Sequence, residues 1–206
     1  MPSSEPAGVS LGLPHCDIRY YPEFLTPAEA QRFYVELRHS IAWRQDSIRI
    51  FGKYVKQPRL TALYGDSGKS YSYSGIRMDP NPFTQPLTHL RHKVEKFVQA
   101  RFSSCLLNLY RDGNDSNGWH ADDEKELGSQ PLIASLSLGA TRSFQLKHRK
   151  MKGLRHRMPL QAGSLLVMKG ATQENWLHQV PKTRKPVGER INLTFRQIGQ
   201  AETLTK

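Results

Sequence analysis

Two histidines and one carboxylate carry the first chemical signal in this 206-residue chain: His120 and Asp122 in the run Trp119-His120-Ala121-Asp122-Asp123-Glu124, and His178 far downstream in Trp176-Leu177-His178. That donor set is the facial triad, which binds non-haem Fe(II) and keeps coordination positions open. Neutral imidazole suits a borderline ion. A single carboxylate cancels part of the charge and leaves the metal electrophilic enough to take a keto acid and then dioxygen. In an extended strand, residues i and i+2 face the same way, so His120 and Asp122 can reach one ion while Ala121 turns aside. His-x-Asp alone is a common pattern, and its meaning depends on what else the chain supplies.

It supplies a row of polar groups near its end. In Arg190-Ile191-Asn192-Leu193-Thr194-Phe195-Arg196, the residues Arg190, Asn192, Thr194 and Arg196 share one face of a strand, and Ile191, Leu193 and Phe195 share the other. Turned inward, such a row is costly unless an anion pairs with the guanidinium groups, and a dicarboxylate would satisfy it. A half-exposed strand with its polar side in water has the same alternation. Asn108 and Tyr110 alternate with Leu107 and Leu109, so they too share a face. They are placed either to hydrogen-bond a bound co-substrate or to satisfy nearby backbone.

The elements that must hold these groups are partly legible. Thr26-Pro27-Ala28-Glu29 combines an N-cap, a proline at the first helical position and a capping-box glutamate, with Ala30, Phe33, Tyr34 and Leu37 following at helical spacing. This helix is predicted to end near His39. A second helix begins around Pro86, with Leu87, Leu90, Val94, Phe97 and Val98 on its apolar stripe. From Cys105 onward, short β-prone segments separated by polar or glycine-containing turns predict a jelly-roll sandwich buttressed by both helices. The expected fold class is therefore mainly β with flanking helices, α+β. Residues 1–14 are read as a loose tail, 15–100 as an N-terminal extension concerned with nucleotide recognition, 101–198 as the core, and 199–206 as a C-terminal tail, in one compact domain overall.

The formal net charge of +12 predicts attraction to a polyanion such as nucleic acid, although charge alone does not choose among DNA, RNA and anionic membrane. No apolar run approaches the roughly 18 residues that span a bilayer, and the N-terminus lacks a signal-peptide core. Cys16 and Cys105 give no metal spacing and no disulfide framework. The expectation is a soluble monomer in a reducing intracellular compartment, cytoplasm in a bacterium or nucleus in a eukaryote, without membrane association.

The run Asn108-Leu109-Tyr110-Arg111, then His120-Ala121-Asp122-Asp123-Glu124, Pro131-Leu132-Ile133-Ala134-Ser135-Leu136-Ser137-Leu138-Gly139, His178 and Arg190 to Arg196 resembles the AlkB family of Fe(II)- and 2-oxoglutarate-dependent nucleic-acid dealkylating dioxygenases. Pro58-Arg59-Leu60-Thr61-Ala62-Leu63-Tyr64-Gly65-Asp66 and Tyr71-Ser72-Tyr73-Ser74-Gly75 resemble the same family's substrate-binding part, so the likeness spans about residues 18 to 198. It implies a double-stranded β-helix with iron between two sheets, closest to the DNA-repair branch. It implies His120, Asp122 and His178 as iron ligands and Arg190 and Arg196 as 2-oxoglutarate anchors, with Asn108, Tyr110, Asn192 and Thr194 assisting. The implied reaction consumes 2-oxoglutarate and O2 and removes a methyl from 1-methyladenine or 3-methylcytosine as an aldehyde.

The same resemblance places Glu124 against the damaged base, which is cationic and favours a carboxylate and aromatic faces. Tyr71, Tyr73 and Trp119 are the aromatic candidates, each of which also fits ordinary packing. Phe51, beside Gly52 in a basic stretch, suits a wedge that fills the gap left by a flipped base, and equally a buried strand residue. Lys147 to Arg157 reads as a basic hairpin tip around Gly153, suited to phosphate. Asp123 is a possible partner for Arg190 or Arg196. Arg59-Leu60-Thr61-Ala62 and Glu174-Asn175-Trp176 resemble members that prefer single strands, whereas Phe51-Gly52 resembles those that open duplexes. Single-stranded DNA is the expected substrate, with duplex DNA and RNA open. Two rival classes stand beside this reading: an iron hydroxylase or demethylase acting on RNA, protein or a small molecule, and a non-catalytic nucleic-acid-binding module.

Overall fold

Thr26 caps the first helix, α1 (Pro27–Ser40), as its sequence requires: its hydroxyl accepts the Glu29 N–H at 3.2 Å, and the Glu29 carboxylate accepts the Thr26 N–H at 2.9 Å. The second helix, α2 (Gln85–Val98), has proline in its first turn and buries Leu87, Leu90 and Val94. Lys93 of α2 pairs with Glu29 of α1 at 2.6 Å, tying the two together. These positions come from a computed structural model that describes residues 8–50, 53–66, 71–73 and 76–199. Phe51 lies outside the described residues, and so do the side chains of Tyr71 and Tyr73.

The strands before α2 are β1 (Val9–Ser10), β2 (Asp17–Tyr21), β3 (Ser47–Ile50), β4 (Lys53–Lys56), β5 (Leu60–Gly65), β6 (Tyr71–Tyr73) and β7 (Ile76–Met78). Those after it are β8 (Ser104–Tyr110), β9 (Asn117–His120), β10 (Ile133–Gly139), β11 (Arg142–His148), β12 (Arg155–Leu160), β13 (Leu165–Lys169), β14 (Trp176–Val180) and β15 (Arg190–Arg196), with a short helix α3 (Thr172–Asn175) before β14. A seven-stranded sheet runs β1-β2-β13-β10-β15-β8-β5, and a four-stranded sheet runs β12-β11-β14-β9. Pro159 is tolerated in β12 because that strand is the edge of its sheet.

Three layers follow from the alternation along the strands. Leu107, Leu109, Ile191, Leu193 and Phe195 point to one side of the large sheet and pack with Phe33, Leu37, Leu87, Leu90 and Val94 of the helices. Leu106, Ile133, Leu166 and Met168 point to the other side and meet Phe144, Leu146, Leu160 and Trp176 of the small sheet. Each fully buried side chain of this kind contributes roughly 1.5–3 kcal/mol. The site lies in this second interface, between the sheets.

The jelly-roll core and buttressing helices agree with the expected fold class. One sequence reading needs correction. Val9–Ser10, inside the expected loose tail, pairs with β2, and β2 pairs with β13, because Ile18 supplies an apolar side chain that the inter-sheet core buries. The large sheet joins the two regions divided near residue 100, since β5 from the front half is hydrogen-bonded along its length to β8. No helix among the described residues is long and apolar enough to cross a membrane.

Candidate active site

His120 ends β9 and His178 lies in the middle of β14; the two strands pair with these residues opposite each other. Asp122 follows two residues after His120, where β9 has ended, and its backbone N–H donates to the Gln173 side chain at 3.0 Å. The three side chains offer one nitrogen, one oxygen and one nitrogen, all within 4.8 Å of one another. The Gly118 carbonyl can only accept, so the 2.7 Å contact with His120 Nδ1 puts the proton there and leaves Nε2 as the lone-pair nitrogen. Burial lowers the His120 imidazole below its ordinary value against the pull of Asp122. Burial likewise takes His178 down to about 3. Burial works to raise the Asp122 carboxyl, but Arg196 and the two imidazoles outweigh it and hold it at about 2. Two neutral imidazoles and an ionised carboxylate at neutral pH are ready for a divalent metal without releasing a proton.

The opposite wall comes from β8 and β15. Asn108, Tyr110, Arg190, Asn192, Thr194 and Arg196 all line the cleft, and all seven residues of β15 are buried, which excludes the half-exposed strand. Asn192 donates to Ser135 Oγ at 2.8 Å and to the Leu136 carbonyl at 3.2 Å, and Thr194 donates to Asn192 at 3.1 Å, so this middle section is a connected network. Arg196 Nη2 donates to Asp122 Oδ1 at 2.7 Å, with both side chains almost wholly buried. Arg196 therefore sits at the metal end.

Arg190 stands at the other end of the strand and differs from it. It is 1% exposed, donates to Ser137 Oγ at 2.9 Å, and lies 5.3 Å from the Tyr110 ring centre. Its Nε and Nη1 have no hydrogen-bond partner. Burial pushes this guanidinium down to about 10, so it is still cationic at neutral pH. A buried cation with orphaned donors is expensive alone and is relieved by an anion in the cleft. The residues present thus fit both a divalent metal at one end and a carboxylate at the other.

Other sequence-selected residues fall elsewhere. Trp119 faces away from the cleft, since it alternates with His120, and the Lys147 ammonium lies 4.5 Å from its ring centre on the outer side of the small sheet. Stacking beside a damaged base does not fit that placement. Asp123 pairs with Arg149, not with Arg190 or Arg196, because it lies one residue past Asp122 and points outward. Glu124 is half-buried and opens the 3-10 turn Lys125–Leu127, its carbonyl accepting the Leu127 N–H at 2.9 Å. The basic run does form a hairpin, β11 and β12 around Gly153 at φ +80°. Two buried arginines take positions that the sequence alone does not assign, Arg59 from a family-like segment and Arg142 from outside any motif. Arg59 Nε donates to Asn108 Oδ1 at 2.7 Å, which turns the Asn108 amide nitrogen toward the cleft. Arg142 holds three backbone carbonyls.

The profile of the 2OG-Fe(II) oxygenase superfamily matches residues 17–196. The human protein named alpha-ketoglutarate-dependent dioxygenase alkB homolog 3 is 41% identical over 206 residues, covering 95% of this chain and 69% of its own length. The chain belongs to the AlkB family of Fe(II)- and 2-oxoglutarate-dependent dioxygenases. A second AlkB relative, human DNA oxidative demethylase ALKBH2, is 37% identical over 181 residues, covering 83% of this chain and 69% of its own. The solved structure of OsALKBH1 superposes with a TM-score of 0.57 over 87% of this chain and 97% of that one, at 18% identity, a likeness in fold. As an AlkB-family dioxygenase the protein uses Fe(II), 2-oxoglutarate and O2. The two ends of its cleft match two of those needs.

Proposed function

We propose that this enzyme removes N-linked methyl groups, as in 1-methyladenine and 3-methylcytosine, from DNA as direct repair of alkylation damage, acting chiefly on single strands, with duplex DNA and RNA as further substrates. The observation that carries the reading is one cleft holding His120, Asp122 and His178 at one end and the partner-seeking Arg190 at the other. His120, Asp122 and His178 would hold Fe(II). Arg190 and Tyr110 hold the far carboxylate of 2-oxoglutarate, Asn108 donates to the co-substrate, and Arg196 orients Asp122 beside its near end. Asn192 and Thr194 stiffen the wall between them. Bound iron and co-substrate supply the oxidising chemistry: one oxygen atom of O2 enters succinate as carbon dioxide leaves, and the other enters the methyl carbon, which departs as formaldehyde and leaves an N–H.

Nucleic acid as the substrate is supported by the name of the relative ALKBH2, a DNA oxidative demethylase, by the +12 charge and by exposed Lys150, Lys152, Arg155 and Arg157 on the β11–β12 hairpin. Phe51, Tyr71, Tyr73 and Glu124 are the proposed base contacts. The test is incubation of the protein with Fe(II), ascorbate, 2-oxoglutarate and an oligonucleotide bearing one methylated base, single- or double-stranded, beside His120→Ala. Loss of a methylene mass that needs iron and 2-oxoglutarate and vanishes in the variant supports the reading. Turnover of 2-oxoglutarate without demethylation would move the substrate to protein, a small molecule or another lesion; no turnover of either would favour a binding module.

A further inference from the structure

Arg142, in β11, is 2% exposed, yet its partners are backbone carbonyls: Nη1 donates to Asp112 O at 2.9 Å, and Nη2 donates to Asp115 O and Pro181 O at 2.8 Å each. Asp112 and Asp115 belong to the connection from Tyr110 to His120. Pro181 belongs to the connection from His178 to Arg190. Each connection joins one cleft residue at the metal end to one at the far end, and Arg142 staples both. The loops also meet directly, with the Thr183 N–H donating to the Gly113 carbonyl at 2.8 Å; a Cβ on Gly113 would lie 2.3 Å from the Thr183 oxygen. The Arg142 guanidinium lies 5.4 Å from the centre of the Tyr110 ring, which the Arg190 guanidinium also approaches, at 5.3 Å. Tyr110 is thus fixed by two cations.

We propose that Arg142 is the positioning residue for the far-carboxylate end of the 2-oxoglutarate site: it fixes Tyr110 and both loops so that Tyr110 and Arg190 aim their donors at one carboxylate. The proposal rests on the assignment of Arg190 and Tyr110 to that carboxylate. Arginine suits the task because a rigid planar fork can hold three carbonyls in fixed directions, which an ammonium on a flexible stem cannot.

The experiment measures binding by calorimetry to protein loaded with Mn(II), which accepts the same oxygen and imidazole donors. Two ligands are compared: 2-oxoglutarate, and 2-oxobutanoate, which keeps the keto acid and lacks the far carboxylate. Wild-type protein should prefer 2-oxoglutarate. Arg142→Lys and Arg142→Gln should weaken 2-oxoglutarate by about tenfold or more, the usual cost of losing a supporting contact around a site, while leaving 2-oxobutanoate unchanged, so the preference collapses. Thermal melts without ligand identify a variant that fails to fold. Gly113→Ala, which forces the two loops apart without touching Arg142, should collapse the preference by the same route. Equal weakening of both keto acids, no weakening, or an intact preference in Gly113→Ala overturns the proposal. Arg190→Met separates the two levels: if it leaves the preference intact, the carboxylate assignment itself fails, whereas loss there with none in the Arg142 variants sinks this inference alone.

Discussion

The cleft walls and the hairpins before α2 are built on opposite principles. β15 runs between β10 and β8, hydrogen-bonded on both sides, with every residue buried. The β3–β4 and β6–β7 ribbons are two-stranded sheets that add no third strand among the described residues, and Tyr54 on β4 is 79% exposed. A two-stranded ribbon is marginal alone, whereas a central strand is held by ladders and core together. The chemistry is identical at every turnover and gains from fixed geometry. On the proposed reading these ribbons meet nucleic acid, which varies in sequence and shape, and there recognition gains from parts that can adjust.

The largest expected effect sharpens this contrast at the metal end. Asp122→Ala should abolish turnover and, by leaving Arg196 charged in a buried site, cost about 3–5 kcal/mol in denaturant unfolding. Loss of turnover with unchanged stability would mean that the pair does not hold the wall together. Next comes Arg190→Met. Losing charge-assisted hydrogen bonds worth about 1.5–3 kcal/mol should raise KM for 2-oxoglutarate by roughly 10- to 100-fold, while the melting temperature stays level or rises, because the orphaned donors go too. A lower melting temperature would show that Arg190 supports the fold rather than the co-substrate.

On the other side of the comparison, Tyr54→Ala should leave stability within about 0.5 kcal/mol. A destabilisation matching that of Asp122→Ala would erase the distinction between the two regions. The smallest effect concerns Glu189, whose carboxyl is hydrogen-bonded by Arg38 at 2.7 and 3.0 Å and by Tyr34 at 3.0 Å. The Arg38 hydrogen bonds hold it below its ordinary 4.5 against the effect of burial. Its contribution is therefore fully present above 4.5 and is lost as pH falls through the lowered value. Glu189→Gln should cost about 0.5 kcal/mol near neutrality, after solvent screening, and the gap between the two proteins' melting temperatures should close on acidification. A gap that widens in acid would reverse the sign.

What the chain revealed before its fold was known divides along a physical line. Period-two alternation placed Asn108, Tyr110 and the Arg190-to-Arg196 row on single faces, and the cap at Thr26 located α1 to within a residue of its end, because those signals are local. Spacing leaves the partner of Asp123 and the side taken by Trp119 open, because orientation at the end of β9 depends on its pairing with β14, where the register shifts; the structure pairs Asp123 with Arg149 and packs Trp119 against Lys147. Arg59 stood in a family-like segment without a role of its own, and Arg142 left no readable pattern. Arg142's partners are carbonyls from distant loops, and every residue has a carbonyl. The triad itself became specific only through resemblance to a family, since His-x-Asp recurs widely.

The pairing of β9 with β14 also bears on how the protein is made. Its two iron-site histidines are brought opposite each other only when strands far apart in the chain have found each other, and β2 cannot dock until β13 has emerged. Such non-local pairing makes folding slow, because loop-closure entropy must be overcome before the contacts reward it. A nascent chain therefore has no complete nest for ferrous iron until β14 has emerged and paired with β9. The iron ligands thus come into existence as a set only through tertiary structure, so the unfolded chain carries no formed oxidising centre.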